Sequence, residues 1–142
     1  MLVRPSLPQL SARSLGLARR FVKFGVVGAS GVALNATVFW LLAGRLHLHY
    51  LAAGFISFEA ALYGNFLLNR RWTFADRRTA PAGPARYQTV ALGGLAINLL
   101  ALHLLVAGVG VRPALANLAG IAAATGWNFT LNLRWTWREV AA

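Results

Sequence analysis

Four asparagines and three arginines, set in two copies of one ten-residue phrase, are the groups in this chain best suited to hold a polar ligand. The copies are NFLLNRRWTF at 65–74 and NFTLNLRWTW at 128–137, offset by 63 residues, identical at seven positions and aromatic in both at an eighth. Asn65, Asn69, Asn128 and Asn132 are carboxamides that both donate and accept hydrogen bonds. Arg70, Arg71 and Arg134 carry planar guanidiniums whose forked donors match oxyanions. Asn65 and Asn69 are four residues apart and Trp72 follows three later, so helical geometry predicts that all three share one stripe. The arginines fall beside that stripe. A plainer reading makes the asparagines interhelical glue and assigns Lys23, Trp72, Phe74, Trp135 and Trp137 to anchoring at the membrane interface.

Three further polar groups lie deep within apolar runs: Asn35, Glu59 and Asn98. At a rise of about 1.5 Å per residue each is roughly 15 Å from its nearest basic helix end. An ionisable group at that depth is costly enough to be read as functional, and Glu59 is the one such group within the apolar runs. Its partner at the 63-residue offset is Ala122, so the duplication is broken there. Glu59 is expected to act as a hydrogen-bonding group beside Asn35 and Asn98.

The remaining chemistry is excluded by what is missing. The chain has no cysteine, and its three histidines are scattered, so neither thiolate nor imidazole metal sites are expected. No paired carboxylates or nucleophile–base constellation appears, and Asp76 and Glu139 read as surface residues. The expectation is therefore no catalytic residue, no metal, no cofactor and no enzyme activity. Gly25, Gly28 and Gly31 resemble a phosphate loop only superficially, fail the Gly-x-Gly-x-x-Gly spacing and read as small-residue helix packing, as do Ala116 and Gly120.

The elements that position these groups follow from composition. Of 142 residues, 58% are hydrophobic and 12% charged, with a mean hydropathy of +0.57, a membrane profile. Four apolar runs near 24–43, 50–69, 87–109 and 113–133 are each about the 20 residues needed to cross a bilayer. Pro113 suits the first turn of the last helix.

Short connections after the first and third runs make two helical hairpins, joined by the polar loop 70–86. The offset also pairs Lys23 with Arg86, Phe24 with Tyr87, Gly31 with Gly94 and Asn35 with Asn98. The fold class is thus an all-α integral membrane protein, with four transmembrane helices built from two parallel tandem hairpins. The expected division is a basic tail over 1–19 and a membrane domain over 20–142, with repeats at about 20–78 and 83–141. A unit of two spans returns to its starting side, so the repeats would be related by an axis along the membrane normal.

The net charge of +11 is distributed asymmetrically. Twelve of the fourteen cations precede the first helix, fill the middle loop or follow the last helix; Arg45 and Arg112 lie on the other side. That bias predicts a multi-pass protein of the cell membrane with both termini cytoplasmic, and it accounts for the charge without nucleic acid. The N-terminal run reads as a retained anchor.

The opening RFVKFGVVGASGVALN, together with the closes NRRWTF and NLRWTW, resembles the GtrA-like family over nearly the whole chain. The matching motif positions are Lys23, Phe24, Gly28, Asn65, Asn69, Arg71 and Trp72, with Asn128, Asn132, Arg134 and Trp135 in the second copy. The resemblance implies four transmembrane helices and a role in cell-surface polysaccharide synthesis. The family's proposed roles are flippase for polyprenyl-phosphate-linked sugars, or partner of the glycosyltransferases that make and use them.

On that reading, the substrate-binding set is Asn35, Glu59, Asn65, Asn69, Arg70, Arg71, Asn98, Asn128, Asn132 and Arg134. The arginines would take the phosphate, the amides the sugar, and lipid the prenyl tail. Leu133 stands where the first copy has Arg70, so the halves need not bind alike. Membrane lipid and a polyprenyl-phosphate sugar are the expected ligands, and a membrane glycosyltransferase and a second copy of the chain enter as candidate partners. A small cation exporter would also use one membrane glutamate but needs an aromatic cage, and only Phe55, Phe58 and Tyr63 are near Glu59 in sequence.

Overall fold

A computed structural model describes residues 7–138 of the chain, with side chains from Ser14 onward. Arg4, Glu139 and the end of the second repeat lie outside the described residues. The element order is α1 (Leu7–Phe39), α2 (Tyr50–Leu68), β1 (Arg78–Thr79), α3 (Gly83–His103), α4 (Pro113–Leu131) and β2 (Trp137–Arg138). Each helix ends in a π-helical turn: Trp40–Arg45, Asn69–Thr73, Leu104–Gly108 and Asn132–Thr136. The first helix starts well before residue 24: Pro8 falls in its first turn, where a missing N–H is tolerated, and Leu, Ala, Arg and Gln outweigh the single Gly16.

The chain forms two compact units, residues 1–75 and 76–142. In the first α1 packs on α2, and in the second α3 packs on α4. Both are helical hairpins, as the fold class expected. Ser14–Arg45, Tyr50–Thr73 and Gly83–Gly108 are each long and apolar enough to cross a membrane. The expected fourth span, α4, is not among them, since Asn117, Thr125, Asn128 and Thr130 dilute its apolarity; it packs against α3.

Each seam is a row of small residues spaced by four: Ala53, Ser57 and Ala61 in α2, Ala116, Gly120 and Ala124 in α4, all buried. That spacing lets backbones approach closely where no water competes for contact. Of the three expected packing glycines only Gly31 is at the seam, while Gly25 and Gly28 have open space beside them. Side-chain hydroxyls inside the helices bond back to their own turns, Thr37 to the Ala33 carbonyl and Thr125 to that of Ile121, both at 2.8 Å. These two hydroxyls are thereby satisfied without a solvent.

The hairpin connections use left-handed residues, His47 (φ 52°) after α1 and Gly110 (φ 76°) after α3. His49 caps α2, its Nδ1 accepting from the Leu51 N–H at 3.4 Å. Within the second unit the linker forms a small antiparallel ribbon, Arg78 opposite Arg138 and Thr79 opposite Trp137, extended by the Ala80 N–H to the Thr136 carbonyl at 2.8 Å. Two-residue strands carry no alternation, so nothing in the hydropathy pattern announced them.

Candidate functional site

The repeated phrase builds one device twice, at the end of each hairpin where the basic residues collect. In the π turn Asn69–Thr73 an extra residue is accommodated, and the Phe74 N–H reaches back to the Asn69 carbonyl at 2.8 Å. Wide turns of this kind are frequent at functional sites. The extra residue changes which side chain follows the asparagines inward. Thr73 is buried, whereas Trp72 is 46% exposed. The predicted Asn65–Asn69–Trp72 stripe is therefore broken by the loss of 3.6-residue periodicity at Asn69. In the second unit the corresponding Thr136 Oγ1 donates to Asn132 Oδ1 at 2.7 Å.

Asn69 and Asn132 are each 1% exposed. Both sit inside their units, and the Asn132 oxygen is occupied by Thr136. That burial keeps both off the accessible surface of their units, unlike Arg70, Arg71 and Arg134. Phe74 and Trp137 are also moved from their expected role, since both are 0% exposed and cannot reach a membrane interface. They plug the hairpin ends edge-on, Phe74 against Phe24 (centroids 6.3 Å apart) and Trp137 against Tyr87 (5.5 Å).

Lys23 and Arg86 close the device. Lys23 Nζ donates to the Trp72 carbonyl at 3.3 Å and lies 5.2 Å from the center of the Trp72 ring. Arg86 Nη1 donates to the Trp135 carbonyl at 3.0 Å, with its guanidinium 5.2 Å from that ring. Each cation satisfies a carbonyl at a helix C-terminus, favours the negative end of the helix dipole and rests on an aromatic face. Trp72 and Trp135 keep an exposed face, as interface residues do.

Further into the apolar region, Asn65 lies against Gly31 and Asn128 against Gly94, so close that a Cβ on either glycine would overlap the amide. Both Oδ1 atoms are buried without a hydrogen-bond partner among the described residues. Asn65 and Asn35 line one groove of about 320 Å³ on the first hairpin, floored by Gly28 and Gly31 and walled by Phe58 and Leu62. Glu59, half-buried on α2, is not among its lining residues. Asn98 belongs to the second unit, against Gly120. Of the expected midplane trio, Asn35 and Glu59 share the first unit, and the groove takes Asn35 alone.

The arginines also divide between the units. Arg70 and Arg71 are exposed on the first. Arg134, exposed on the second, lines a pocket with Arg77, Leu133 and Arg138. Arg77 and Arg138 did not stand out in the sequence, because they lie outside the duplicated phrase and were read only as part of a topogenic charge excess.

Each hairpin thus carries buried asparagines beside a small-residue seam and ends in a capped, aromatic-plugged polar turn. The chain belongs to the family described as GtrA/DPMS, transmembrane domain, which matches residues 23–137, from the Lys23 clamp to the Trp137 plug. It is similar to a dolichol-phosphate mannosyltransferase of Pyrococcus furiosus, 31% identical over 120 residues that make up 83% of this chain and 34% of the relative. It is also similar to an uncharacterized membrane protein, YngA, of Bacillus subtilis, 30% identical over 83 residues, 58% of this chain and 55% of that relative. The chain thus spans about a third and about half of the curated relatives it matches. It is an integral, multi-pass membrane protein of this family.

Proposed function

We propose that this domain carries a polyprenyl-phosphate-linked sugar across the membrane, presenting it for cell-surface glycosylation. The observation that supports the reading is the groove of the first hairpin, where Asn35 and Asn65 face a pocket with otherwise apolar walls. Its volume of about 320 Å³ falls within the range of small-molecule sites, about 300–1,000 Å³. The carboxamides of Asn35 and Asn65 along the groove offer donors and acceptors that suit sugar hydroxyls and that a lipid acyl chain cannot use. Phe58 offers a wall to the apolar face of a pyranose, and the prenyl tail stays in lipid.

Arg70 and Arg71, at the polar end of the same hairpin, would receive the phosphodiester. By the twelve-to-two cation bias that end is cytoplasmic. The chain shows no energy-coupling motif, so movement runs downhill, drawn by consumption of the sugar outside. No residue is assigned a catalytic role.

A second reading, that the domain anchors or recruits a polyprenyl-phosphate glycosyltransferase, is favored by one observation. The Pyrococcus relative is named a mannosyltransferase, and the shared region is 34% of its length. Native mass spectrometry of gently extracted protein tests the binding both readings differ over. A co-purified prenyl-phosphate sugar, lost in Asn35→Ala and Asn65→Ala, is expected from the transport reading. Copurification of a glycosyltransferase without such a lipid would favour the anchor.

A further inference from the structure

We infer that Gly28 is the specificity-determining residue of the first-hairpin groove, its bare Cα leaving the space in which the ring of a lipid-linked sugar lies against α1. The inference rests on the groove being the sugar site. Gly28, Val32, Asn35 and Ala36 recur at helical spacing on one face of α1, and all four line the groove of about 320 Å³. Gly28 stands about one turn nearer the basic end of the hairpin than Gly31, against which the Asn65 amide lies.

Nothing within the hairpin requires a glycine at this place. Its backbone is helical with no positive φ, and a Cβ built on it would meet nothing within 4 Å. Gly31 differs, since the Asn65 amide fills the space its Cβ would take. Glycine inside a helix is destabilising relative to alanine, because it loses more conformational freedom on folding. The fold would gain from an alanine at 28, and the groove would lose floor space to the methyl.

The duplication supplies the comparison. At the 63-residue offset Gly28 corresponds to Ala91, while Gly31, Asn35 and Asn65 keep their types as Gly94, Asn98 and Asn128. Ala91 lies within α3, which packs on α4 as α1 packs on α2. A methyl at this place is thus compatible with a folded hairpin. Ala36 likewise corresponds to Leu99, so the second unit carries larger side chains at two positions where the first keeps small ones.

The part of the ligand that Gly28 admits follows from shape. Bare backbone permits the close approach of a rigid ring, and the amides of Asn35 and Asn65 beside it suit the ring's hydroxyls. A prenyl chain is thin and flexible enough to pass one methyl group. An added Cβ therefore discriminates against the sugar and not against the tail.

The test uses the full chain in phosphatidylcholine nanodiscs doped with polyprenyl-phosphate glucose, or with the same polyprenyl phosphate lacking the sugar, and reads retained lipid by native mass spectrometry. Gly28→Ala should lower retention of the sugar-bearing lipid about tenfold, the scale of overpacking a fitted site, and that of the sugar-free lipid less than about twofold. Its thermal unfolding temperature should equal or exceed that of the unaltered chain. Gly25→Ala is the control, at a second open glycine of α1 that is not among the groove's lining residues. It should leave both retentions within about twofold and be at least as stable.

Sugar-lipid retention unchanged by Gly28→Ala would overturn the inference, as would equal losses for the two lipids or an equal loss from Gly25→Ala. Asn65→Ala separates this result from the reading of the groove itself. A loss from Asn65→Ala with none from Gly28→Ala would keep the groove as the sugar site and overturn the role of Gly28 alone. No change from either variant would overturn both.

Discussion

Gly120→Ala isolates the close approach on which the second hairpin depends. A Cβ placed on Gly120 would lie 2.9 Å from the Asn98 carbonyl oxygen, 3.2 Å from its Oδ1 and 3.3 Å from its Cα. Carbon–oxygen contacts settle at about 3.3–3.6 Å, so α3 and α4 must part by about half an ångström. The first obstacle is backbone, which cannot rotate away. A gap of that size forfeits about a quarter of the dispersion energy along the Ala116–Gly120–Ala124 seam.

Overpacking of this kind costs about 1–3 kcal/mol, and alanine's better helix propensity returns up to about 1 kcal/mol, leaving a net loss of about 1–2 kcal/mol. Gly126→Ala is the control. It lies on the same helix with nothing within 4 Å of the added Cβ, and should be neutral or gain up to about 1 kcal/mol. Thermal unfolding in detergent micelles, followed by circular dichroism, should separate the two variants by about 1–3 kcal/mol, a difference of several degrees. If Gly120→Ala unfolds with or above Gly126→Ala, the seam is not the contact that holds the hairpin.

Thr136→Val removes the donor to Asn132 Oδ1 in a fully buried site and should cost about 1–3 kcal/mol of thermal stability, while Thr125→Val, whose hydroxyl only bonds its own helix, should cost under about 1 kcal/mol. Single cysteines at Leu46 and Ala75, both exposed, should differ in labelling by an impermeant thiol reagent on intact cells, with Leu46→Cys alone reached. Equal labelling would contradict the twelve-to-two orientation. Glu59→Gln should retain most sugar-lipid transport and Glu59→Ala should lose it with the fold intact, since Gln preserves hydrogen bonding; a cation exporter requires a carboxylate and predicts that Gln is inactive too.

The duplicated hairpin was legible because its markers are chemical. Asparagines, glycines and cations at a fixed offset survive in a sequence where apolar residues interchange freely. The 63-residue offset holds for burial as well: Val27 with Val90, Ala53 with Ala116, Phe66 with Phe129 and Thr73 with Thr136 are buried in both units. What was not legible begins at the π turns. A stripe extrapolated at 3.6 residues per turn through Asn69 selects Trp72, whereas the inserted residue turns Thr73 inward.

Phe74 and Trp137 were misassigned for the same reason. An aromatic near a helix end reads as an interface anchor, and only the reversal of the chain after the π turn folds it back onto Phe24 or Tyr87. Lys23 and Arg86 carried a charge signal already explained by topology, which concealed their second use on the Trp72 and Trp135 carbonyls. Of the amides, Asn35 and Asn65 line one groove, a pairing of α1 with α2 that the depth argument, which grouped Asn35 with Glu59 and Asn98, did not suggest and only helix packing could select.

Sided translocation most directly tests the central claim. Purified chain is reconstituted into vesicles holding a fluorescent polyprenyl-phosphate sugar, and the fraction reached by an external glycosidase is followed in time. The account predicts protein-dependent transfer between leaflets that is slowed about tenfold or more by Asn35→Ala or Asn65→Ala, the effect of losing a hydrogen bond made to a buried polar group. Transfer no faster than in protein-free vesicles, or equally fast with both groove asparagines replaced, would contradict it.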